Sequence, residues 1–452
     1  MDEKYWKPSK IDFEELQKIQ WNKLKKQIAY CYDNSPLYYR KKFDEVGAKP
    51  QDIKTWEDFR NLPVMGGKEA ERESQEQSVK ELKEPYGTYL CAPQEKVTFI
   101  TSTGGTTGFP TFTYLYTDED MVREVEALGR IFWWVGLRPG DKVANVFAQS
   151  MHWFGFVGNH LVRANGMVPI PIGAEAGTER MLRLIDFMKP KAILGTPPLA
   201  EHLIERAPDV LNKEVGELGV ELLILGGAPG AGIPSVKKKL EDAYGAKVFD
   251  MQPMWVSCDA KEYYGMHYIN PDHWIWAEDL VDPDTLKPLE IKNGVVGMGL
   301  TTTFNQAKPM FKYAFGDLLQ VFTEECPGCG FKGWRVKLVG RADEMLMVKG
   351  ANVYPSAVKG VVNGFGPRVT GEMRIVLDEP GPAVKPPLRI KVEHAAGLSA
   401  SELDQLKDDL AKEIRSKLEF RPEIELVPPQ TFERAGGAAA KGTLFEKTYE
   451  NK

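Results

Sequence analysis

Between Asp118 and Leu137 the apolar residues Met121, Val122, Val125, Leu128 and Phe132 recur at helical spacing, and Arg138-Pro139-Gly140-Asp141 then turns the chain into the run Lys142 to Phe147. This is the pattern of a helix feeding a strand. It repeats three times: a helix near Glu179 to Met188 before Ala192-Ile193-Leu194-Gly195, one near Leu199 to Arg206 before Leu222 to Gly227, and one from Pro234 to Tyr244 before Lys247-Val248-Phe249. Such alternation predicts an α/β domain with helices packed on mixed, mostly parallel sheets. Ligands of these sheets bind beyond the C-terminal strand ends, where Gly226-Gly227-Ala228-Pro229 falls.

The pattern changes after Gly340. A Gly-rich hairpin from Met345 to Val353, a short helix from Pro355, and strands near Met373 to Leu377 and Leu388 to Val392 precede a long amphipathic helix. Ser399-Ala400-Ser401-Glu402 has capping-box spacing, and Leu403, Leu406, Leu410, Ile414 and Leu418 line one face of the helix that follows. The reading is a large domain over 1–340 and a small α+β domain over 341–452.

Length and composition agree. A chain of 452 residues exceeds the size at which one core stops growing, and 42% hydrophobic with 27% charged residues is ordinary for a globular protein. The net charge of -6 gives no reason to expect nucleic acid. No run of about 18 apolar residues marks a membrane span, and Met1-Asp2-Glu3-Lys4-Tyr5-Trp6 does not open a signal peptide, so a cytoplasmic protein is expected. The aromatic segment around Tyr30, Tyr32, Tyr38 and Tyr39 is expected to cover either its own core or a partner subunit in a homodimer.

Five cysteines are too few for a disulfide scaffold. Cys31 and Cys91 read as packing thiols. Cys326-Pro-Gly-Cys329 can point two thiolates at one ion, with Cys258 and His267 completing a tetrahedral set for structural zinc; the alternative is a turn with incidental thiols.

The densest chemical signal is Thr101-Ser102-Thr103-Gly104-Gly105-Thr106-Thr107-Gly108-Phe109-Pro110-Thr111. Glycines let several backbone N–H groups approach one anion, and the hydroxyls add donors, so Thr103, Gly104, Gly105, Thr106, Thr107 and Gly108 are read as a phosphate-binding loop. It lacks the Gly-Lys-Ser/Thr ending of a Walker loop. The alternative is a flexible surface turn.

Other fragments give the loop a setting. Tyr32-x-x-Ser35-Pro36-x-Tyr38-Tyr39-Arg40-x-x-Phe43 is followed by Asp58-Phe59 and Leu62-Pro63, then Tyr313-Ala314-Phe315-Gly316-Asp317, Gly340-Arg341-Ala342-Asp343-Glu344-Met345-Leu346 and Gly350-Ala351-Asn352-Val353-Tyr354-Pro355. In this order, over nearly the whole chain, they resemble the phenylacetate-CoA ligase family of the acyl-adenylate-forming ligases. The resemblance implies an AMP-forming acid-thiol ligase: a carboxylate attacks ATP to give an acyl-adenylate and pyrophosphate, and coenzyme A then displaces AMP. Asp317 would hold the ribose hydroxyls, and Arg341 the ribose or phosphates. Asp343 would be the hinge on which the small domain turns between adenylating and thioester-forming poses, with Lys349 on the hairpin used in the second. His152, Trp153, Phe154 and Gly155, with His160, would lie around the acyl group of an arylacetic or benzoic acid; an aromatic helix face in the core is the alternative for Trp153 and Phe154.

Three positions depart from the family pattern. Phe109 replaces a lysine of the phosphate loop. The central segment Phe249-Asp250-Met251-Gln252-Pro253-Met254-Trp255-Val256-Ser257-Cys258 lacks the glutamate that helps hold magnesium, leaving Asp250 and Asp259 as nearby carboxylates. The final Gly-Lys becomes Arg434-Ala435-Gly436-Gly437-Ala438-Ala439-Ala440-Lys441, with Lys441 the candidate first-step cation. The departures leave two other readings: adenylation with a non-CoA acceptor, and a degenerate nucleotide-binding subunit with lost or redirected activity.

Overall fold

The computed structural model describes residues 13–103, 111–228, 230–252, 254–270, 273–348, 351–379, 381–432 and 444–451. The helix-strand alternation folds into the parallel half of one large mixed sheet, in which Lys247–Gln252, Leu222–Leu225, Ala192–Gly195, Lys142–Asn145 and Val168–Pro171 lie side by side. The last of these is the edge strand, and prolines at 169 and 171 are tolerated there because one side of an edge makes no ladder bonds.

Alternation within these strands sorts the core into two layers. Val143, Leu194, Ile224 and Phe249 face the helices Asp118–Trp134 and Trp153–Ala164. Ala144, Ile193, Leu223 and Val248 face Thr178–Met188, Pro197–Leu211 and Pro234–Tyr244. On the Asp118–Trp134 helix, Met121, Leu128 and Phe132 are buried, whereas Val122 is 69% exposed, one residue past the buried stripe.

Beyond Lys247–Gln252 the sheet continues antiparallel through Trp255–Ser257, Met266–Tyr268, Arg335–Arg341, Tyr313–Phe322, Val296–Thr303 and Trp274–Ile275. The N-terminal segment covers this half. Tyr38 and Tyr39 pack with Phe43, Phe59 and Phe311 in the protein's own core, and their hydroxyls donate to the carbonyls of Met65 at 3.0 Å and Pro309 at 2.8 Å. Two ion pairs are buried beneath it. Lys312 donates to both Asp279 oxygens at 2.8 Å, while Glu71 pairs with Lys308 and accepts from the Tyr313 hydroxyl at 2.7 Å. Pairing both charges is what makes such burial tolerable.

The small α+β domain has the order read from sequence. Its sheet runs Pro422–Val427, Leu388–His394, Val369–Leu377, Phe445–Lys447, against the helices Pro355–Asn363 and Ala400–Leu418. Ser399 caps the long helix, its hydroxyl accepting from the Glu402 amide at 3.4 Å while Glu402 accepts from the Ser399 amide at 2.8 Å. Leu406, Leu410 and Ile414 are buried, and Leu403 and Leu418 are half-buried at the margin.

Candidate active site and metal centre

The C-terminal ends of the parallel strands converge as the sheet type requires. Gly226 follows Leu222–Leu225 so closely against the neighbouring strand that an added Cβ would stand 2.2 Å from the Met251 carbonyl oxygen. Gly227 has φ +74°, and its Cβ position lies 3.5 Å from the Phe147 ring. The Gly226-Gly227-Ala228 turn therefore sits on the aromatic group that follows Lys142–Asn145. Pro229 lies outside the described residues.

Phe147 stacks on Phe154 at 4.8 Å and on His152 at 5.6 Å between ring centroids. Trp153 crosses Phe154 edge-on at 4.7 Å and donates its indole N–H to the Tyr116 hydroxyl at 2.6 Å. Trp153 and Phe154 are both buried in the core between sheet and helix. Gly155 has a packing role: its Cβ would stand 1.8 Å from the Ala148 carbonyl oxygen, so only glycine lets this helix turn approach the strand end. His160 contacts Phe99 at 5.1 Å on the next turn.

The phosphate-loop candidate is fastened to the same place. Its arms, Phe99–Thr103 and Thr111–Tyr116, form an antiparallel hairpin. Ser102 bridges to His152, and the Ser102 amide donates to the Met151 carbonyl at 2.9 Å. Thr103 ends the first arm; Gly104, Gly105, Thr106, Thr107 and Gly108 lie outside the described residues, as do Phe109, Lys349 and Lys441. The Tyr114 phenol on the second arm is pushed up by burial and then by the charges of Glu124 and Asp317.

Asp317 and Arg341 are cross-strand partners. The Arg341 guanidinium donates to the Asp317 carboxylate at 3.1 Å, the Phe315 carbonyl at 2.9 Å and the Asp343 carboxylate at 2.8 Å. One fork thus ties the ribose candidate to the hinge candidate, a geometry the planar guanidinium suits and an ammonium does not.

Three positioning residues had no motif in the sequence. Asn145, fully buried, donates to the carbonyls of Phe154 at 2.8 Å and Gly155 at 3.2 Å and accepts from the Phe147 amide at 3.2 Å. Glu175 accepts the amides of Gln149 at 2.9 Å and Ser150 at 3.2 Å, fixing the loop before His152. Tyr116 holds Trp153. The one available signal was an asparagine inside an apolar strand, since an unpaired buried amide is costly.

The central segment is a tight hairpin. Met251 pairs with Val256 and Gln252 with Trp255, leaving two residues between the strands. The Asp250 carboxylate accepts from the Tyr263 hydroxyl at 2.6 Å, and burial raises its pKa to about 6 despite that bond. Asp259 forms a surface ion pair with Lys247 at 2.5 Å.

Cys258, His267, Cys326 and Cys329 come together with their ligand atoms all within 4.8 Å of one another. The first three are buried and Cys329 is exposed. His267 Nε2 lies 3.3 Å from Cys329 Sγ, while Nδ1 lies 3.3 Å from the Val256 carbonyl, the backbone bond that leaves Nε2 free to ligate. A hydrogen bond shared with Cys329 holds the Cys258 thiol below its ordinary value; that bond and then burial push Cys329 up to about 12. Three thiols and one imidazole in this compass match a tetrahedral zinc donor set.

Residues 350–442 match the model of the AMP-binding enzyme C-terminal domain. The chain is 28% identical over 455 residues to a phenylacetate-coenzyme A ligase of Thermus thermophilus, covering 95% of this chain and 96% of that one. Among solved structures, it is similar to 2-hydroxyisobutyryl-CoA ligase in the postadenylation state with R3-HIB-AMP, with TM-score 0.85 and 27% identity over 97% of this chain and 91% of that one. Against the same ligase with 2-HIB-AMP and CoA in the thioesterification state the TM-score is 0.65, at 29% identity over 97% of this chain and 91% of that one. Over nearly its whole length the chain is similar to phenylacetate-CoA ligases, and its C-terminal part carries the AMP-binding enzyme C-terminal domain.

Proposed function

We propose that this protein is an ATP-dependent, AMP-forming ligase that activates an aromatic carboxylic acid, of arylacetic or benzoic type, to its CoA thioester through an acyl-adenylate. The observation that supports the reading is that the Ser102 arm is bridged to His152 and bonded to Met151, while Phe147, stacked on His152, lies against Gly227. In this reading Thr103 to Gly108 and the 227–229 turn hold the nucleotide, Asp317 and Arg341 its ribose and phosphates, and His152, Trp153, Phe154 and Gly155 border the acyl group. Lys441 supplies first-step charge neutralisation and Lys349 enters in the second step. The small domain, 341–452, turns at Asp343.

Magnesium, when bound, would offset phosphate charge during adenylation; Asp250 is bonded by Tyr263 and Asp259 by Lys247, so neither carboxylate is a ready ligand for it. The Cys258, His267, Cys326, Cys329 set holds one structural zinc ion. The reading places the enzyme in the cytoplasm; among the described residues no helix is long and apolar enough to cross a membrane.

A second reading of the substrate has its own support. Phe147 stacks on both His152 and Phe154 and stands 3.5 Å from the Cβ position of Gly227, a crowding that favours a compact branched acid of the kind bound by the 2-hydroxyisobutyryl-CoA ligase relative. AMP and pyrophosphate release with ATP and magnesium, for phenylacetic, benzoic, indoleacetic, 2-hydroxyisobutyric and short aliphatic acids, with and without CoA, separates the readings. Release dependent on an aromatic acid, with a CoA thioester as product, is the expected outcome. Pyrophosphate release without thioester would indicate another acceptor. No turnover despite nucleotide binding would mean lost or redirected chemistry.

A further inference from the structure

Where the helix Pro234–Tyr244 of the large domain meets the first long strand of the small one, a polar contact forms outside the chemistry described so far. The strand Val369–Leu377 slips register against Leu388–His394 between Val369 and Met373. Gly371 sits in this bulge at φ +97°, and a Cβ there would stand 2.4 Å from Asn363 Oδ1, so both conformation and space demand glycine. The bulge presents the Thr370 carbonyl to the large domain. Lys239 Nζ donates to that carbonyl at 3.2 Å and to Glu201 Oε1 at 3.2 Å. The Glu201 side chain is only 9% exposed, and its Oε1 lies 3.7 Å from the Cβ position of Gly371. Ile233 packs beside the contact, 3.7 Å from the Cβ position of Gly360.

The same bulge is wired to the C-terminal end of the small domain. The Thr370 hydroxyl donates to Glu393 Oε2 at 3.0 Å, and Glu393 Oε1 accepts from the Phe432 amide at 2.8 Å. The Ile375 amide donates to the Leu444 carbonyl at 2.8 Å, and Phe445–Lys447 pairs alongside the strand. Leu444 is thus fastened to the strand that docks on Lys239, and Phe432 is tied to the neighbouring strand through Glu393, which accepts from Thr370.

The geometry points to Lys239 as a positioning residue for adenylate formation: its bridge from Glu201 to the Thr370 carbonyl holds the small domain in the first-step arrangement. The inference rests on the ligase reading above. It accords with the closer match to the postadenylation-state relative than to the thioesterification-state one. A turn of the small domain about Asp343 must break the bond to Thr370, whereas the bond to Glu201, within the large domain, survives. Loss of the bridge therefore shifts the balance of poses rather than the chemistry of either.

The test uses the full chain carrying Lys239→Ala, Lys239→Arg or Glu201→Gln. Three quantities are read: acid-dependent ATP–pyrophosphate exchange, thioester formation from preformed acyl-adenylate and CoA, and amide hydrogen exchange over 369–373. Lys239→Ala should lower kcat for pyrophosphate exchange about tenfold while leaving the KM for the acid and the thioester rate intact or improved. Lys239→Arg should restore most of the loss, and Glu201→Gln should fall between. Amide exchange over 369–373 should quicken in Lys239→Ala. Equal losses in both half reactions, or undiminished pyrophosphate exchange, would overturn the assignment. If the unmodified chain carries out neither half reaction, the ligase reading fails by itself; the bridge then stands or falls on whether 369–373 loses protection in Lys239→Ala.

Discussion

Two glycines on one helix give a sharp test of how the aromatic wall around Phe147 and Phe154 is built. On Trp153–Ala164, a Cβ at position 155 would lie 1.8 Å from the Ala148 carbonyl oxygen, 2.7 Å from its carbon and 3.0 Å from Gln149 Cα. Cβ contacts closer than about 3.0 Å do not persist, so Gly155→Ala must open the helix from the strand end by about 1 Å, and the atoms in the way are backbone. Overpacking of this kind costs about 1 to 3 kcal/mol, set against a gain of about 0.8 to 1 kcal/mol from replacing a helical glycine with alanine. At position 158 the same substitution meets Asn145 Nδ2 at 3.3 Å and Leu194 Cδ2 at 3.8 Å, side-chain atoms able to yield a few tenths of an ångström. Gly158→Ala should therefore be neutral or slightly stabilising, and Gly155→Ala destabilising, in urea denaturation followed by tryptophan fluorescence. Activity should separate further. His152 and Phe154 lie just before Gly155 and the Phe99–Tyr116 hairpin is bridged to His152, so if the chain is the proposed ligase a displacement near 1 Å should lower kcat/KM about a hundredfold in Gly155→Ala. Indistinguishable stability and activity in the two variants would refute the packing argument.

Three further outcomes follow from particular contacts. Arg341→Lys cannot hold Asp317, Phe315 and Asp343 at once, and steady-state kinetics should show kcat/KM for ATP falling about tenfold; an unaltered value would mean the fork is dispensable. Cys326→Ser, or treatment with a strong chelator, should remove one equivalent of zinc by metal analysis and lower the melting temperature, and a metal-free but equally stable wild-type protein would contradict the assignment. Burial, then the Asp120 charge, raises the pKa of Glu124 from 4.5 to about 8, so the folded state keeps a proton that the unfolded chain releases across that window. Stability should then fall as pH rises from about 5 to 8, by on the order of a few kcal/mol, and Glu124→Gln should flatten the slope and overtake wild type only at the upper end in urea titrations at both pH values.

What could be read from sequence was whatever rests on local periodicity or on fixed spacing. The parallel half of the sheet announces itself because each strand is preceded by a helix with an apolar stripe, and the Ser399 cap because a short-range exchange of hydrogen bonds defines it. The Cys/His cluster was legible because thiols and imidazoles are scarce in this chain. The antiparallel half was not legible in the same way. Its strands include Trp274–Ile275, Leu280–Val281 and Met266–Tyr268, two or three residues each, which are strands only because a neighbour completes their ladder. The buried pairs Glu71–Lys308 and Asp279–Lys312 join residues far apart in the chain, and no local pattern distinguishes those lysines from surface ones. Val122 fails for the opposite reason: it is apolar and falls close to the stripe, yet one step of about 100° turns it to solvent.

The departures in the central segment acquire a physical meaning once the metal site and the hairpin are taken together. A two-residue connection between Gln252 and Trp255 has no length to project a glutamate toward a nucleotide; it sends the chain straight back along Trp255–Ser257 into Cys258. Register in such a short strand is weakly specified by three residues alone. Here it is pinned from the far side. Met266–Tyr268 pairs with all three of them, His267 bonds the Val256 carbonyl, and the next residue after the strand, Cys258, joins His267 in the tetrad. Ser257 passes that register to the active-site end, since its hydroxyl accepts the Asp250 amide at 3.0 Å, and Asp250 in turn is held by Tyr263. A one-residue slip would turn Ser257 to the other face and release Asp250 beside the Gly226 turn. The Cys/His cluster is thus linked through strand register to the backbone of Asp250, whose carboxylate is separately committed to Tyr263. If the chain is the proposed ligase, this arrangement would leave the polyphosphate to the glycine turns and the Arg341 fork, whose substitutions should then weaken ATP use more than changes at Asp250.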